Sequence, residues 1–123
     1  MAGTIVSDTL QDGAGNSTAT TNAIQGSAKA WVNFNGSTAA IRASYNVSSI
    51  TKNTTGDYFI NFTNALADTN YCLVTSRGQS GSFATGGMND TTAPTTTAVR
   101  VNNRVTLDGT YADQTWFYAA IFR

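Results

Sequence analysis

The sequence lacks histidine and glutamate altogether, and it contains a single cysteine and a single proline. Without histidine, the usual proton carrier near neutral pH is missing, so neither a Ser-His-Asp nor a Cys-His catalytic arrangement can form within one chain. The same absences exclude zinc sites made of histidines or of cysteine pairs. Cys72 cannot form an intrachain disulfide, and its apolar neighbours favour a buried, inert thiol. We therefore predict a protein that is not an enzyme and that holds no cofactor and no metal.

Charge is scarce as well, since charged side chains make up 11% of the residues and seven basic side chains balance seven acidic ones. Nucleic-acid binding requires clustered Lys and Arg, and the basic residues are scattered, so no nucleic-acid partner is expected. No apolar run is long enough to span a bilayer, so no membrane insertion is expected either. All the acids are aspartates, most of them in turn-like sequence, which favours structural roles over a catalytic carboxylate pair.

Thr, Ser, Asn and Gly fill much of the chain, and these residues suit strands and turns rather than helices. Segments such as Ala28–Phe34 and Asp57–Phe62 alternate between apolar and polar residues, which is the pattern of half-buried strands. Seven or eight such strands predict an all-β fold, an antiparallel β-sandwich of jelly-roll-like form, over residues 26–123. Alternation in the second strand predicts that four side chains share one face: Ile41, Ala43, Tyr45 and Val47.

Residues 1–25 differ from this predicted knob. They contain a polar stretch from Gln11 to Thr18 and too few apolar residues to fold alone. The segment is either a disordered tail or an extended arm that becomes ordered against a partner. We expect the second, an attachment arm that binds another protein through four apolar side chains: Ile5, Val6, Leu10 and Ile24.

Residues 77–98 contain four glycines and the only proline, and they form the longest stretch without a clear strand pattern. Such stretches are commonly functional loops, and this one suits polar contacts with a host-surface glycan or protein. A tolerant surface loop that binds nothing is the alternative. Beyond it, Val99–Val101 and Val105–Leu107 predict a hairpin around Asn102-Asn103. The candidate receptor-binding residues are Arg77, Gln79, Ser80, Asn89 and Asp90, together with Tyr111 near a later turn.

The C-terminal strand is apolar on both faces. Trp116, Tyr118 and Phe122 lie on one face, with Phe117 and Ile121 on the other. A small sandwich has one core, so the second apolar face needs another cover, and a neighbouring copy would supply it. We therefore predict a homotrimer with these five residues as its candidate interface.

Aromatic residues also allow a lectin-like carbohydrate-binding module, because exposed rings stack on sugars. Core packing is the simpler role for any single ring. The rings considered for stacking are Trp31, Tyr58, Tyr111, Trp116 and Tyr118.

Several segments together resemble a domain of bacteriophage tail fibres and related virion proteins, frequent in marine and cyanobacterial phages. The segments are Lys29–Gly36, Ile41–Ile50, Gly56-Asp57-Tyr58, Asn61-Phe62, Ala67–Tyr71 and, upstream, Asp8–Gly15. Beyond Ser76 only the aromatic C-terminal strand is typical of such domains. The resemblance implies a homotrimeric β knob on the virion surface without enzymatic activity, and it assigns no catalytic residue.

The resemblance leaves the place on the virion open between the tail and the capsid. Tail fibres usually carry a long shaft, whereas only residues 1–25 precede this knob. One expectation is a short trimeric fibre whose knob contacts the host surface. The other is a capsid decoration protein with a purely structural role. In both, the predicted partners are further copies of the chain and another virion protein that the arm binds.

Overall fold

The structure, a computed structural model, describes residues 3–4, 6–78, 84–105 and 109–123. Within these residues, helix is confined to one seven-residue segment, in line with the composition. The elements are β1 Thr9–Gln11, β2 Ser17–Ala19, α1 Thr20–Gly26, β3 Ala28–Asn35, β4 Ala40–Tyr45, β5 Val47–Thr54, β6 Asp57–Phe62, β7 Cys72–Arg77, β8 Ala84–Met88, β9 Ala98–Val105 and β10 Phe117–Phe122.

Strands β3 to β10 form two four-stranded antiparallel sheets that enclose one core. The first sheet has the strand order β4-β3-β10-β7, and the second has the order β5-β6-β9-β8. Strands β7, β8 and β9 follow one another, and β10 returns to pair with β7, which is a Greek-key path across the two sheets. The predicted all-β antiparallel sandwich is thus confirmed.

The core lies between the sheets, and alternate residues of each strand enter it, as the sequence pattern predicts. At its centre the rings of Phe34, Tyr58 and Phe117 lie 5.1 to 5.9 Å apart. All three rings are fully buried, so Tyr58 is unavailable for sugar stacking. The other fully buried apolar side chains of the described residues are Ala30, Val32, Ile60, Val99, Val101 and Ile121.

A bulge in β4 changes which of its side chains face the core. Phe34 pairs with Ile41 and Asn33 pairs with Ala43, so Arg42 is the extra residue opposite them. Ile41 therefore packs against the core, whereas Ala43 faces outward like its partner Asn33.

Asn46 then carries the chain from the first sheet to the second. Its φ of 54° lies in the left-handed region, which Asn tolerates better than most residues. On one side of it Tyr45 faces outward from the first sheet, and on the other Val47 is buried beneath the second. The prediction that Ile41, Ala43, Tyr45 and Val47 share one face is therefore wrong, because a bulge and a change of sheet intervene.

Residues 77–98 are not one loop, because they contain β8, which pairs with β9 along its whole length. The predicted hairpin around Asn102-Asn103 is also wrong, since β9 runs straight through both residues. Asn103 is fully buried, and its side-chain amide donates a 2.6 Å hydrogen bond to the carbonyl of Ala112. The second asparagine thus anchors the following segment to the strand instead of turning the chain.

The arm enters the sandwich at Ala28, which marks the proximal end, and residues 109–116 close the opposite, distal end.

Asp113 holds the segment 109–116 in place at the distal end. Its Oδ1 accepts 2.8 Å hydrogen bonds from the Gly56 amide and the Tyr58 hydroxyl, and its Oδ2 lies 2.5 Å from Lys52 Nζ. Partial burial raises the pKa of Asp113, but these hydrogen bonds outweigh it and hold the pKa below its ordinary value. Burial, followed by the bond to Asp113, raises the pKa of Tyr58, so its hydroxyl stays a donor.

The arm extends to Ser27 and has local structure, a β1–β2 hairpin followed by α1. The Asp12 carboxylate accepts 2.9 Å hydrogen bonds from the amides of Ala14 and Asn16, and a 2.8 Å bond from the Asn16 side chain. This turn satisfies itself, as Asp commonly does, and the bonds from Asn16 chiefly lower the pKa of Asp12. None of the described residues of the arm is buried.

Candidate binding surface

The outer face of the first sheet carries a patch of exposed apolar side chains. Trp31 pairs with Tyr45 on one side and with Ala120 on the other, and Ala120 pairs with Val74, so three strand pairings bring these side chains together. We call the patch the apolar face, and its large side chains are between 38% and 58% exposed. Its members are Trp31, Tyr45, Val74, Trp116 and Tyr118.

Single exposed hydrophobic residues are common on small domains, whereas contiguous ones are less common and are typical of interaction sites. Both tryptophans of the chain belong to the apolar face.

Cys72 lies at the proximal end of β7 and is exposed, so the prediction of a buried thiol is wrong. Its side chain faces outward, on the same side of β7 as that of Val74.

The aromatic rings at the distal end of the apolar face are held by their neighbours. The Trp116 and Tyr118 rings lie nearly parallel, with 6.4 Å between centroids and 12° between planes. The guanidinium of Arg42, the bulge residue, lies 3.9 Å from the centre of the Trp116 ring. This cation–π contact covers one side of the ring, so that side is closed to a stacking ligand.

A groove of about 330 Å³ crosses the apolar face. The small side chain of Ala120 leaves this space between Trp31, Val74 and Tyr118. None of the residues that line the groove is charged. The groove can therefore accept an uncharged, apolar side chain without leaving a charge unpaired.

The outer face of the second sheet, which we call the polar face, is built differently. The side-chain amide of Asn61 donates to the hydroxyl oxygens of Ser49 at 3.0 Å and Thr51 at 2.9 Å. No large hydrophobic side chain of β5, β6 or β9 is exposed. The polar groups of this face thus bond one another within the sheet.

An ion pair completes the polar face. The guanidinium of Arg100 binds both oxygens of Asp57, at 2.9 and 2.5 Å, and lies 5.5 Å from the Phe59 ring centroid. Asn53 donates a further 2.8 Å bond to Asp57 Oδ2. The hydrogen bond from Arg100 chiefly lowers the pKa of Asp57, so this buried carboxylate stays charged and paired.

The five predicted interface residues separate onto two sides of β10. Trp116 and Tyr118 belong to the apolar face, and Phe122 is half-buried at the proximal end. Phe117 and Ile121 are fully buried in the core of their own sandwich, so they are corrected from interface to core. Sequence reasoning missed that the apolar face also includes Trp31, Tyr45 and Val74, although Trp31 already stood out as an apolar residue at an outward position of β3.

Of the predicted receptor-binding residues, those that the structure describes lie in two different places. Arg77 ends β7, half-buried, at the distal end, where the exposed Tyr111 ring lies 5.3 Å from the Arg104 guanidinium. Asn89 is buried, and its Oδ1 accepts hydrogen bonds from the amide and hydroxyl of Thr91, so its predicted role in receptor contact is corrected to a structural one. Asp90 is exposed next to it, beside the second sheet rather than at the distal end. Gln79 and Ser80 lie outside the described residues.

The predicted attachment residues of the arm are exposed where the structure describes them. Val6 is 91% exposed, Leu10 46% and Ile24 60%, and Ile5 lies outside the described residues. These three side chains are free to contact another protein.

Within the described residues, no group of three or more His, Cys, Asp or Glu side chains is placed to hold a metal ion. No helix of that same part of the chain has the length and hydropathy needed to cross a membrane. Comparison of the chain with protein-family models, curated proteins and solved structures finds no match.

Proposed function

We propose that this protein is a non-enzymatic bacteriophage virion protein, a short trimeric knob on the particle surface. The apolar face packs against neighbouring copies, and the arm binds another virion protein. The contrast between the two outer faces supports the self-association, and the resemblance of the sequence to phage fibre domains supports the virion location. One face satisfies its own polar groups, whereas the other exposes two tryptophans, two tyrosines and a valine to water.

Self-association would bury the apolar face, which the sandwich itself leaves exposed to water. Exposed contiguous apolar surface is unfavourable in water, and a further copy of the chain is always present at equal concentration. Trp and Tyr are also the residues enriched at the centres of protein interfaces.

The arm supports attachment to a second protein. Its hairpin and helix bury none of their described residues against the sandwich, and Val6 and Leu10 point their apolar groups into solvent. Segments that gain order on binding suit this role, because they spread contacts over a large area of the partner.

A lectin-like role has less support. Tyr58 is in the core, and Arg42 covers one side of the Trp116 ring, so fewer ring faces are open for sugar stacking than the sequence offers.

Any host contact of the fibre would fall to the distal end, where Arg77 and Tyr111 lie. We expect Tyr111→Ala to reduce adsorption of virions to host cells, with the knob still folded.

The oligomeric state tests the self-association. Light scattering at micromolar concentration should give three times the chain mass of 12.9 kDa. Because both tryptophans lie on the apolar face, their fluorescence should resist acrylamide quenching in the assembled protein and lose that resistance on dilution. Labelling of the Cys72 thiol should likewise be slow in the assembled protein and become faster on dilution. A monomer with fully quenchable tryptophans would contradict the proposal.

Antibody labelling of virions tests the location. Label on the tail supports the fibre role, and label on the head supports the capsid decoration role. Virions that carry no label, although the antibody recognises the native knob, would refute both.

A further inference from the structure

Helix α1 is a short helix that is held to the rest of its own chain by hydrogen bonds, from Thr20 to the carbonyls of Ser7 and Asp8 and from Lys29 to the carbonyl of Ile24. It has seven residues, none of them buried, no side-chain cap at its N-terminus and no acidic residue in its first turn. Isolated helices shorter than roughly 12 residues are marginal in water. Its one large apolar side chain, Ile24, is 60% exposed. The helix therefore lacks the tertiary packing that normally stabilises such a segment.

The groove on the apolar face of the same chain is out of reach of α1. Ser27 alone separates α1 from β3, and one extended residue spans about 3.5 Å. A helix with its side chains is about 10 Å across, so laying α1 over its own sheet requires a larger displacement than Ser27 provides. The groove of a second copy carries no such restriction.

The groove and the helix match in chemistry. The groove has apolar walls formed by Trp31, Val74 and Tyr118, and no residue that lines it is charged. Helix α1 contains no charged residue either. The arm as a whole carries Asp8 and Asp12 and no basic residue, whereas the positively charged Arg42 contacts the apolar face at the Trp116 ring. Opposite charges thus flank an uncharged contact, which favours docking in one orientation.

We propose that α1 of one copy docks on the apolar face of a neighbouring copy, with Ile24 in the groove above Ala120. The inference rests on the self-association proposed above and names the segment of the neighbour that enters the groove. Each copy gives one helix and receives one, and in the proposed trimer this head-to-tail contact closes into a ring. The β1–β2 hairpin remains free to bind a different virion protein.

Two full-length variants test the two sides of this contact. Ile24→Ser removes the inserted side chain, and Ala120→Phe fills the groove on an outward-facing position. Each should weaken self-association about tenfold in sedimentation experiments, the scale expected for one lost buried aliphatic contact. Each should leave the urea midpoint of the dissociated knob unchanged at matched low concentration. The control Val6→Ser makes a similar change in the arm outside α1 and should associate as the wild type does.

A mixing experiment decides whether the helix is exchanged between copies. The Ala120→Phe protein keeps an intact helix, and the Ile24→Ser protein keeps an intact groove, so a mixture of the two should form hetero-oligomers more tightly than either variant self-associates. A mixture no tighter than its components would overturn the exchange. Wild-type association of Ile24→Ser would also overturn it while leaving the proposed packing of the apolar face intact. A monomeric wild type would remove both.

Discussion

The two outer faces of the sandwich belong to sheets with the same number of strands, yet one exposes polar side chains to water and the other exposes apolar ones. On the polar face, Asn61 bonds Ser49 and Thr51, and Asp57 bonds Arg100 and Asn53, so the polar groups find partners within one chain. On the apolar face, the large side chains are aromatic or aliphatic and remain 38% to 58% exposed to water.

The difference indicates that the polar face contributes to the free energy of folding and the apolar face to the free energy of association. Bonds within the polar face exist in the isolated chain, so their loss should appear as reduced stability. Contacts of the apolar face are completed only by another molecule, so their loss should appear as weaker assembly. Variants on the two faces can separate these effects.

The largest effect is expected on the polar face from Asp57→Ala. The change leaves Arg100 without its buried partner, and breaking such a pair from one side costs about 3 kcal/mol of the free energy of unfolding. Urea denaturation measures the loss. The control Asp90→Ala removes an exposed carboxylate and should change stability by less than about 0.5 kcal/mol. Equal values for the two variants would show that the ion pair adds nothing to stability.

Acid should weaken the same ion pair. The pKa of Asp57 is lower in the folded state than its ordinary value of 3.8. A carboxyl group of this kind stabilises the fold at pH above its unfolded pKa, and the stabilisation is lost as the pH falls through the folded pKa. The free energy of unfolding should therefore be nearly constant above about pH 5 and decline below about pH 4. Asp57→Asn should flatten that decline, and an unchanged slope would argue against Asp57 as its source.

On the apolar face, Tyr118→Ser should act on assembly instead. The side chain borders the groove and lies beside Trp116, so its loss should weaken self-association about tenfold or more. The urea midpoint of the dissociated chain should stay close to that of the wild type. Sedimentation and urea unfolding at matched low concentration give the two quantities, and a variant that is less stable but equally associated would reverse the assignment.

A smaller effect is expected from Asn61→Ala on the polar face. It removes the three hydrogen bonds that the half-buried Asn61 amide donates, to the hydroxyls of Ser49 and Thr51 and to the carbonyl of Ser49, and we expect a loss of about 1 kcal/mol in the free energy of unfolding with no change in oligomeric state. Ser48→Ala on the same sheet removes one hydrogen bond to the carbonyl of Asn61 and should cost less. A shift in oligomeric state from either would mean that the polar face takes part in assembly.

Local alternation was enough to predict that side chains of β3 and of β6 alternate between two faces, because a strand in a sandwich must send every second side chain inward. In β10 it separated the two faces but did not show that the face with Phe117 and Ile121 is the core. The same rule failed in β4, where Arg42 forms a bulge and reverses the following side chains. A bulge depends on the partner strand, which local pattern does not contain. The long segment after Arg77 was misread for a related reason, since the glycine-rich β8 acquires its strand structure by pairing with β9.

The candidate surface divides in the same way. The apolar C-terminal strand pointed to Trp116 and Tyr118, but only the pairing of β3, β4, β7 and β10 adds Trp31, Tyr45 and Val74 to them. No local pattern distinguished Asp113, because the hydrogen bonds that it accepts across the distal end come from residues more than fifty positions away in the chain.

By itself, the sequence determined the class of the fold and much of its core, because composition and period-two alternation act locally and allow few alternatives. It also limited the chemistry, since a chain without histidine lacks the usual catalytic base. Tertiary structure alone decided which apolar residues are core and which are surface. Phe117 and Trp116 are neighbours of similar character, yet one is fully buried and the other exposed, because a sheet has two sides and this sandwich covers only one of them.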